Sequence, residues 1–277
     1  MHDVLNRPAP APDETVRYGP GPDHVASLWW PRAGAARTAP VVLFLHGGFW
    51  RAAWDRTHAG PLAVALAGAG FTVCAPEFRR TGAGDGGGWP GTFDDIAAAV
   101  DTLPGLLSDL GGPPADSGLV LAGHSAGGHL SLWAAARHRL PAGLPWHRAG
   151  PAPIRAVVAL AAVSELTACY DEGLGDGAAG ALIGGSPADH PDRYAVTDPA
   201  RLLPIGIPLW LVHGALDDRV PAAMSRSFTG RARAAGDEVA ARELPGGDHF
   251  DLIDPSSAAW PDVLGAFRAA AGPAGTA

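Results

Sequence analysis

The sequence predicts an α/β domain: a mainly parallel sheet of about eight strands, with helices on both faces and a short lid insertion. Three observations carry that prediction. Short apolar runs of strand length alternate with helix-like stretches, the pattern of parallel strands joined by crossover helices. One such run, Leu119 to Ala122, leads directly into Gly123-His124-Ser125-Ala126-Gly127 and then a helix-like stretch, the context that a G-x-S-x-G elbow requires. Asp217 and His249 each follow a later strand-like run, which places them with Ser125 at the carboxyl ends of strands, where open α/β sheets build their sites.

The elements follow in order. Met1 to Glu14 alternates prolines with acids and reads as a flexible leader; it lacks the basic start and apolar segment of a signal peptide. Thr15 to Tyr18 and Val25 to Trp30, separated by Gly19-Pro20-Gly21-Pro22, read as an antiparallel hairpin at a sheet edge. Core strands are expected at Val41–Leu45, Phe71–Ala75, Leu119–Ala122, Val157–Leu160, Pro208–Val212 and Val239–Leu244. Helices are expected at Leu62–Ala69, Phe93–Leu107, Ala126–Arg137, Ala222–Ala235 and Ser256–Ala270. Thr92 or Asp94 is the expected cap of the second helix and Ser256 of the last, and Pro104 is expected to interrupt or end the second helix early. Ser164 to Pro199 breaks the rhythm with glycine, alanine and acids, and is expected to be a lid insertion within one domain spanning 15–270. Residues 271–277 are expected to fray.

Composition narrows the function. A formal charge of -8 argues against a nucleic-acid partner, and no apolar run reaches the length of a membrane span, so a cytoplasmic protein acting on a small molecule is expected. All twenty basic residues are arginine, which excludes a Schiff-base lysine, a Ser-x-x-Lys hydrolase and a lysine-dependent phosphate loop. Cys74 and Cys169 are too few for a disulfide framework, and Cys74 lies in an apolar run as a buried free thiol. No His-Glu-x-x-His element exists, and His124 and His129 are five positions apart and off a common helical face, so no metal and no cofactor are expected.

The remaining chemistry is nucleophilic. A serine hydroxyl needs a base within hydrogen-bond reach and a third group to orient that base. Ser125 would stand at the tip of the elbow, with flanking glycines letting strand and helix approach. His249 and an acid, Asp217 or the adjacent Asp218, are the available partners, while Asp248 reads as a turn residue. The oxyanion of a tetrahedral intermediate needs preorganised donors: the backbone amide of Ala126 together with Gly48, Phe49 or both, from the His46-Gly47-Gly48-Phe49-Trp50 loop after a core strand. His46 reads as a strand-end residue that bonds nearby backbone and holds this loop. His124 reads as a neighbour of the nucleophile and His129 as an anchor of the elbow helix. Trp50, Trp54, Phe78, Trp89 and Tyr170 are candidates to line an apolar pocket; Trp29, Trp30, Trp133 and Trp210 are assigned to the core or its surface.

With these elements in place, the chain resembles the α/β-hydrolase superfamily from about residue 15 to residue 270. The segment His213-Gly214-Ala215-Leu216-Asp217-Asp218-Arg219-Val220-Pro221 is similar to the family pattern H-G-x-x-D-x-x-V-P, which favours Asp217 over Asp218 as the acid. The H-G-G-F-W loop, Gly123 to Leu130 and Asp248-His249-Phe250-Asp251 look like the esterase and kynurenine formamidase branch, with Phe49 where tyrosine is usual. Glu77-Phe78-Arg79-Arg80 and Gly87-Gly88-Trp89-Pro90 resemble segments of general bacterial hydrolases. The resemblance implies cofactor-free hydrolysis of an ester or aryl formamide by a Ser125-His249-Asp217 triad. Acyl transfer or cyclisation with a non-water acceptor is the alternative on the same triad, and a ligand-binding module on the same fold is a third.

Overall fold

The computed structural model describes residues 3–32, 40–150 and 153–272, so 273–277 of the expected frayed tail lie outside the described residues. Among the described residues, eight strands form one sheet: β1 (Glu14–Arg17), β2 (Val25–Trp29), β3 (Val41–Leu45), β4 (Thr72–Pro76), β5 (Leu119–His124), β6 (Ile154–Leu160), β7 (Leu209–Gly214) and β8 (Val239–Leu244). Their order is β1-β2-β4-β3-β5-β6-β7-β8. The first two strands form the expected edge hairpin, β2 also pairs antiparallel with β4, and every other pairing is parallel.

Side-chain alternation assigns the helices to faces. In β3, Val42 and Phe44 point to one side and Leu43 and Leu45 to the other. The first side is covered by α1 (Gly60–Gly68) and α8 (Trp260–Ala271) through Leu62, Leu66, Val263 and Phe267. The second is covered by α2 (Gly91–Asp109), α3 (Ala126–Ala135) and α7 (Ala222–Ala235) through Phe93, Ile96, Leu130, Trp133 and Phe228. Every residue of α3 is buried, because it crosses behind the central strands. Trp29, Trp30 and Trp133 are buried and Trp210 half-buried, as assigned.

Three local expectations are corrected. Pro104 lies inside α2, which runs on to Asp109: the apolar stripe of Phe93, Ile96, Val100, Leu103 and Leu107 is buried against the sheet and outweighs the one helical hydrogen bond that proline removes. The last helix starts at Trp260, not Ser256, since Ser256 and Ser257 are engaged in turns with Asp254 and Asp251. Neither Thr92 nor Asp94 caps α2, whose N-cap is Pro90. Thr92 instead lies within the first turn, where its hydroxyl accepts from the Gly88 amide and donates to the Arg79 carbonyl.

The insertion at 164–199 forms α4 (Leu166–Asp171), α5 (Leu174–Ile183) and α6 (Pro191–Thr197). Its two ends are pinned together by the buried Asp198, whose carboxylate accepts from the amides of Leu166 and Thr167. Arg51, just after the H-G-G-F-W loop, donates to the carbonyls of Gly175 and Asp176. The segment expected as a flexible leader is packed: residues 3–6 form a 3-10 turn with Val4 only 2% exposed, and Arg7 pairs with Asp254 at 2.6 and 2.9 Å.

Candidate active site

Ser125 sits between β5 and α3 at φ 56° and ψ −119°, in the half of the backbone map that L-residues avoid. The turn is held there by close packing. A Cβ on Gly123 would lie 2.2 Å from the Gly127 carbonyl oxygen, and one on Gly127 would lie 2.0 Å from that of Leu45, so only glycine fits at either side. The Ser125 amide donates to Leu160 O at 2.8 Å, and its carbonyl accepts from Val163 and His129. Ala126 is the first residue of α3, so its N–H has no acceptor earlier within the helix.

The loops after β7 and β8 bring the next two groups together. Nδ1 of His249 donates to Oδ2 of Asp217 at 2.6 Å, and both side chains are buried. Asp218 instead points outward and pairs with Arg219, so the geometry separates the two adjacent carboxylates. Oδ1 of Asp217 accepts from the amides of Arg219 and Val220, each at 2.8 Å. Burial pushes the Asp217 carboxyl up, yet hydrogen bonds from His213, His249 and the Val220 amide, with the charge of His249, hold it well below the usual carboxylate range. Asp248 accepts from the amides of Phe250 and Asp251 and is the turn residue the sequence suggested.

Two buried histidines support this pair. Nε2 of His213 lies 2.8 Å from the Val220 carbonyl and 3.1 Å from Asp217 Oδ2. A carbonyl accepts only, so Nε2 carries a proton, and Nδ1 lies 2.6 Å from Ser225 Oγ. Sequence reasoning missed His213; its signal was the four-residue spacing to Asp217 at a strand end. His124 donates from Nε2 to the backbone carbonyl of His249 at 2.9 Å, so it holds the histidine's main chain as well as neighbouring Ser125. Burial, then the charge of His249, keeps the His124 ring neutral, well below the ordinary histidine range. His129 donates to Thr197 O and so ties the elbow helix to the end of α6.

The loop expected to complete the oxyanion hole lines the same cavity as Ser125 through Gly48 and Phe49. Gly48, Phe49 and Trp50 stand at φ 108°, 50° and 56°, a run of three residues with positive φ. A Cβ on Gly48 would sit 2.5 Å from that of Trp54. Behind the loop, His46 bonds the Gly47 carbonyl and the buried carboxylate of Glu77, both at 2.8 Å. Glu77 also accepts from the Arg56 amide, and Tyr18 donates to its carbonyl. Burial raises the Glu77 carboxyl, and His46, the Arg56 amide and Arg80 together bring it below its ordinary value.

Ser125 and His249 open onto one cavity of about 440 Å³, which is also lined by Gly48, Phe49, Trp54 and His124. Of the five aromatics proposed for the pocket, Trp54 alone lines it. Trp50 is buried edge-on to His129, Phe78 is fully buried and stacked on His46 at 4.4 Å, Trp89 packs on Trp146, and Tyr170 packs on Tyr194. Those four face the core or the insertion because the loops fold back under it. The walls instead include Leu5, His58, Arg219 and Phe250. Burial lowers His58 to about 4, which makes it a neutral wall. Burial raises both cysteine thiols to about 12. Among the described residues, no group of three or more His, Cys, Asp or Glu is placed to hold a metal ion, and no helix is long and apolar enough to cross a membrane.

A strained serine turn at the end of the fifth strand of such a sheet, followed by an insertion and two carboxyl-end loops, matches the α/β-hydrolase fold. Residues 28–231 match the BD-FAE family, and the chain belongs to it, a carboxylesterase family of this fold. Among curated proteins, the chain is similar to esterase LipQ of Mycobacterium tuberculosis, 27% identical over 244 residues that cover 86% of this chain and 57% of that protein. It is also similar to esterase LipC of the same organism, 27% identical over 251 residues, 86% of this chain and 60% of that one. The chain thus spans less than two thirds of the length of these relatives. Among solved structures, esterase B from Lactobacillus rhamnosis superposes with a TM-score of 0.75 at 22% identity, covering 95% of this chain and 88% of that one. A truncated carbohydrate esterase from gut microbiota gives 0.76 at 20% identity, covering 94% and 99%. These two likenesses concern the fold.

Proposed function

We propose that the protein is a serine esterase that cleaves a small carboxylic ester through an acyl-enzyme. Ser125 Oγ attacks the ester carbonyl while Nε2 of His249 takes its proton, and Asp217 holds the imidazole by Nδ1 and stabilises the imidazolium. The amides of Ala126, Gly48 and Phe49 receive the oxyanion, a contribution of about 3–4 kcal/mol per donor. Collapse expels the alcohol, which takes the proton back from His249, and water repeats the sequence to release the acid. The 2.6 Å bond from His249 to Asp217, on a cavity that also holds the strained Ser125, is the observation that carries this reading. The named activities of the relatives support it.

An aryl formamide presents the same planar carbonyl and needs the same groups, so that narrower substrate rests on the sequence resemblance. The test compares kcat/KM on p-nitrophenyl butyrate and N-formylkynurenine for wild type and Ser125→Ala. Ester turnover with stoichiometric fluorophosphonate labelling, both lost in Ser125→Ala, is the expected result. Wild-type turnover in that variant overturns the mechanism, and a negligible value on the formamide removes that substrate.

A further inference from the structure

The cavity at Ser125 has one wall from a distant part of the chain. Leu5 lines it, brought there by the 3-10 turn at residues 3–6. Two anchors hold this turn across the site. Val4 belongs to the same buried cluster as Ala59 and Leu252, one from the 3-10 turn at 56–59 beside the pocket residue His58, the other from the turn at 251–253 that follows His249. Arg7 grips Asp254 with both terminal nitrogens and reaches Ser256 Oγ at 3.1 Å, in a part-buried, two-pronged pair that holds geometry better than a single contact. Further along, Pro10 O accepts from the Trp29 indole at 3.4 Å.

We propose that residues 3–7 form a strap joining the His58 and His249 sides of the cavity, and that Leu5 is a specificity-determining residue limiting the length of apolar group admitted beside Ser125. The inference rests on the esterase reading. Trp54 and Phe250 give the site apolar surface that a hydrocarbon chain would cover, and Leu5 occupies space that such a chain would otherwise use. Leu5 is half-buried: it lines the cavity and also packs against the cluster that holds Val4, so unfolding is followed beside activity when its size is changed.

The test uses the full chain with Leu5→Gly, Leu5→Trp and, to loosen the strap, Arg7→Ala. Each is assayed on p-nitrophenyl acetate, butyrate, octanoate and dodecanoate, with thermal unfolding and the rate of fluorophosphonate labelling as checks on fold and nucleophile. Leu5→Trp is expected to lower the octanoate-to-acetate ratio of kcat/KM about tenfold, and Leu5→Gly to raise it by a similar factor, the scale set by a few methylenes in an apolar pocket. Arg7→Ala shifts the ratio in the direction of Leu5→Gly. Ratios within twofold of wild type in Leu5→Gly and in any folded Leu5→Trp, with labelling unchanged, overturn the strap's role and leave the esterase reading standing. A wild-type protein that neither hydrolyses these esters nor reacts with the fluorophosphonate overturns both.

Discussion

His213 and Asp217, four residues apart at the end of β7, meet at 3.1 Å on the same carboxylate oxygen that accepts from His249. The acid is therefore fixed from two sides, by backbone amides on Oδ1 and by two imidazoles on Oδ2.

Asp217→Asn keeps the shape but presents the wrong partner to Nδ1 of His249. It is expected to lower kcat by a factor on the order of 10^3 to 10^4. Asp218→Asn, altering an exposed carboxylate paired with Arg219, is expected to stay within about twofold. Steady-state kinetics on p-nitrophenyl butyrate separates them, and equal losses would reassign the acid.

His213→Ala leaves Asp217 with one imidazole. One of the hydrogen bonds that hold the Asp217 carboxyl low is lost, and with it one of the groups that fix the acid facing His249. kcat falls by about tenfold with KM little changed, since the residue touches no substrate. A loss of stability with kcat unchanged in the folded variant would mark His213 as structural only.

Burial lowers His58 and His129 to about 4, and lowers His124 as well, against about 6.5 in an unfolded chain. Between those values the unfolded chain binds protons that the native protein refuses, so stability is full above pH 6.5 and falls as pH drops toward 4. Taking the ordinary histidine value for the unfolded chain, His58 and His129 each account for a loss of about 2 kcal/mol between pH 7.5 and pH 5. Urea unfolding at the two pH values measures this. His129→Gln, which retains a donor for Thr197 O, is expected to show a drop shallower by about 2 kcal/mol, and a pH-independent wild-type midpoint would contradict the account.

Arg51 latches α5 to the loop that carries Gly48 and Phe49. Arg51→Ala is expected to change kcat/KM for bulky aryl esters by about 3- to 10-fold while p-nitrophenyl acetate changes less than twofold. Equal losses on both substrates would show that the insertion supports the loop rather than selecting what enters.

The sheet was legible because its buried strands are continuous apolar runs and its helices repeat at helical spacing, signals that depend only on neighbours in sequence. The positions of Ser125, Asp217 and His249 followed from strand ends for the same reason. Pro104 misled because tertiary burial of α2 overrides a local preference. The pocket aromatics misled because composition does not say which way a loop folds: Phe78 turned under His46 and Trp50 against His129. Leu5 carried no local sign at all, since its place in the cavity depends on Arg7 finding Asp254, 247 residues away.

The backbone of Ser125 would suit glycine better than serine. A side chain at that φ retains conformational strain of about 1–3 kcal/mol. A glycine would release it and leave a sturdier protein without the proposed nucleophile. On the proposed mechanism, thermal robustness and turnover therefore make opposite demands on this one residue.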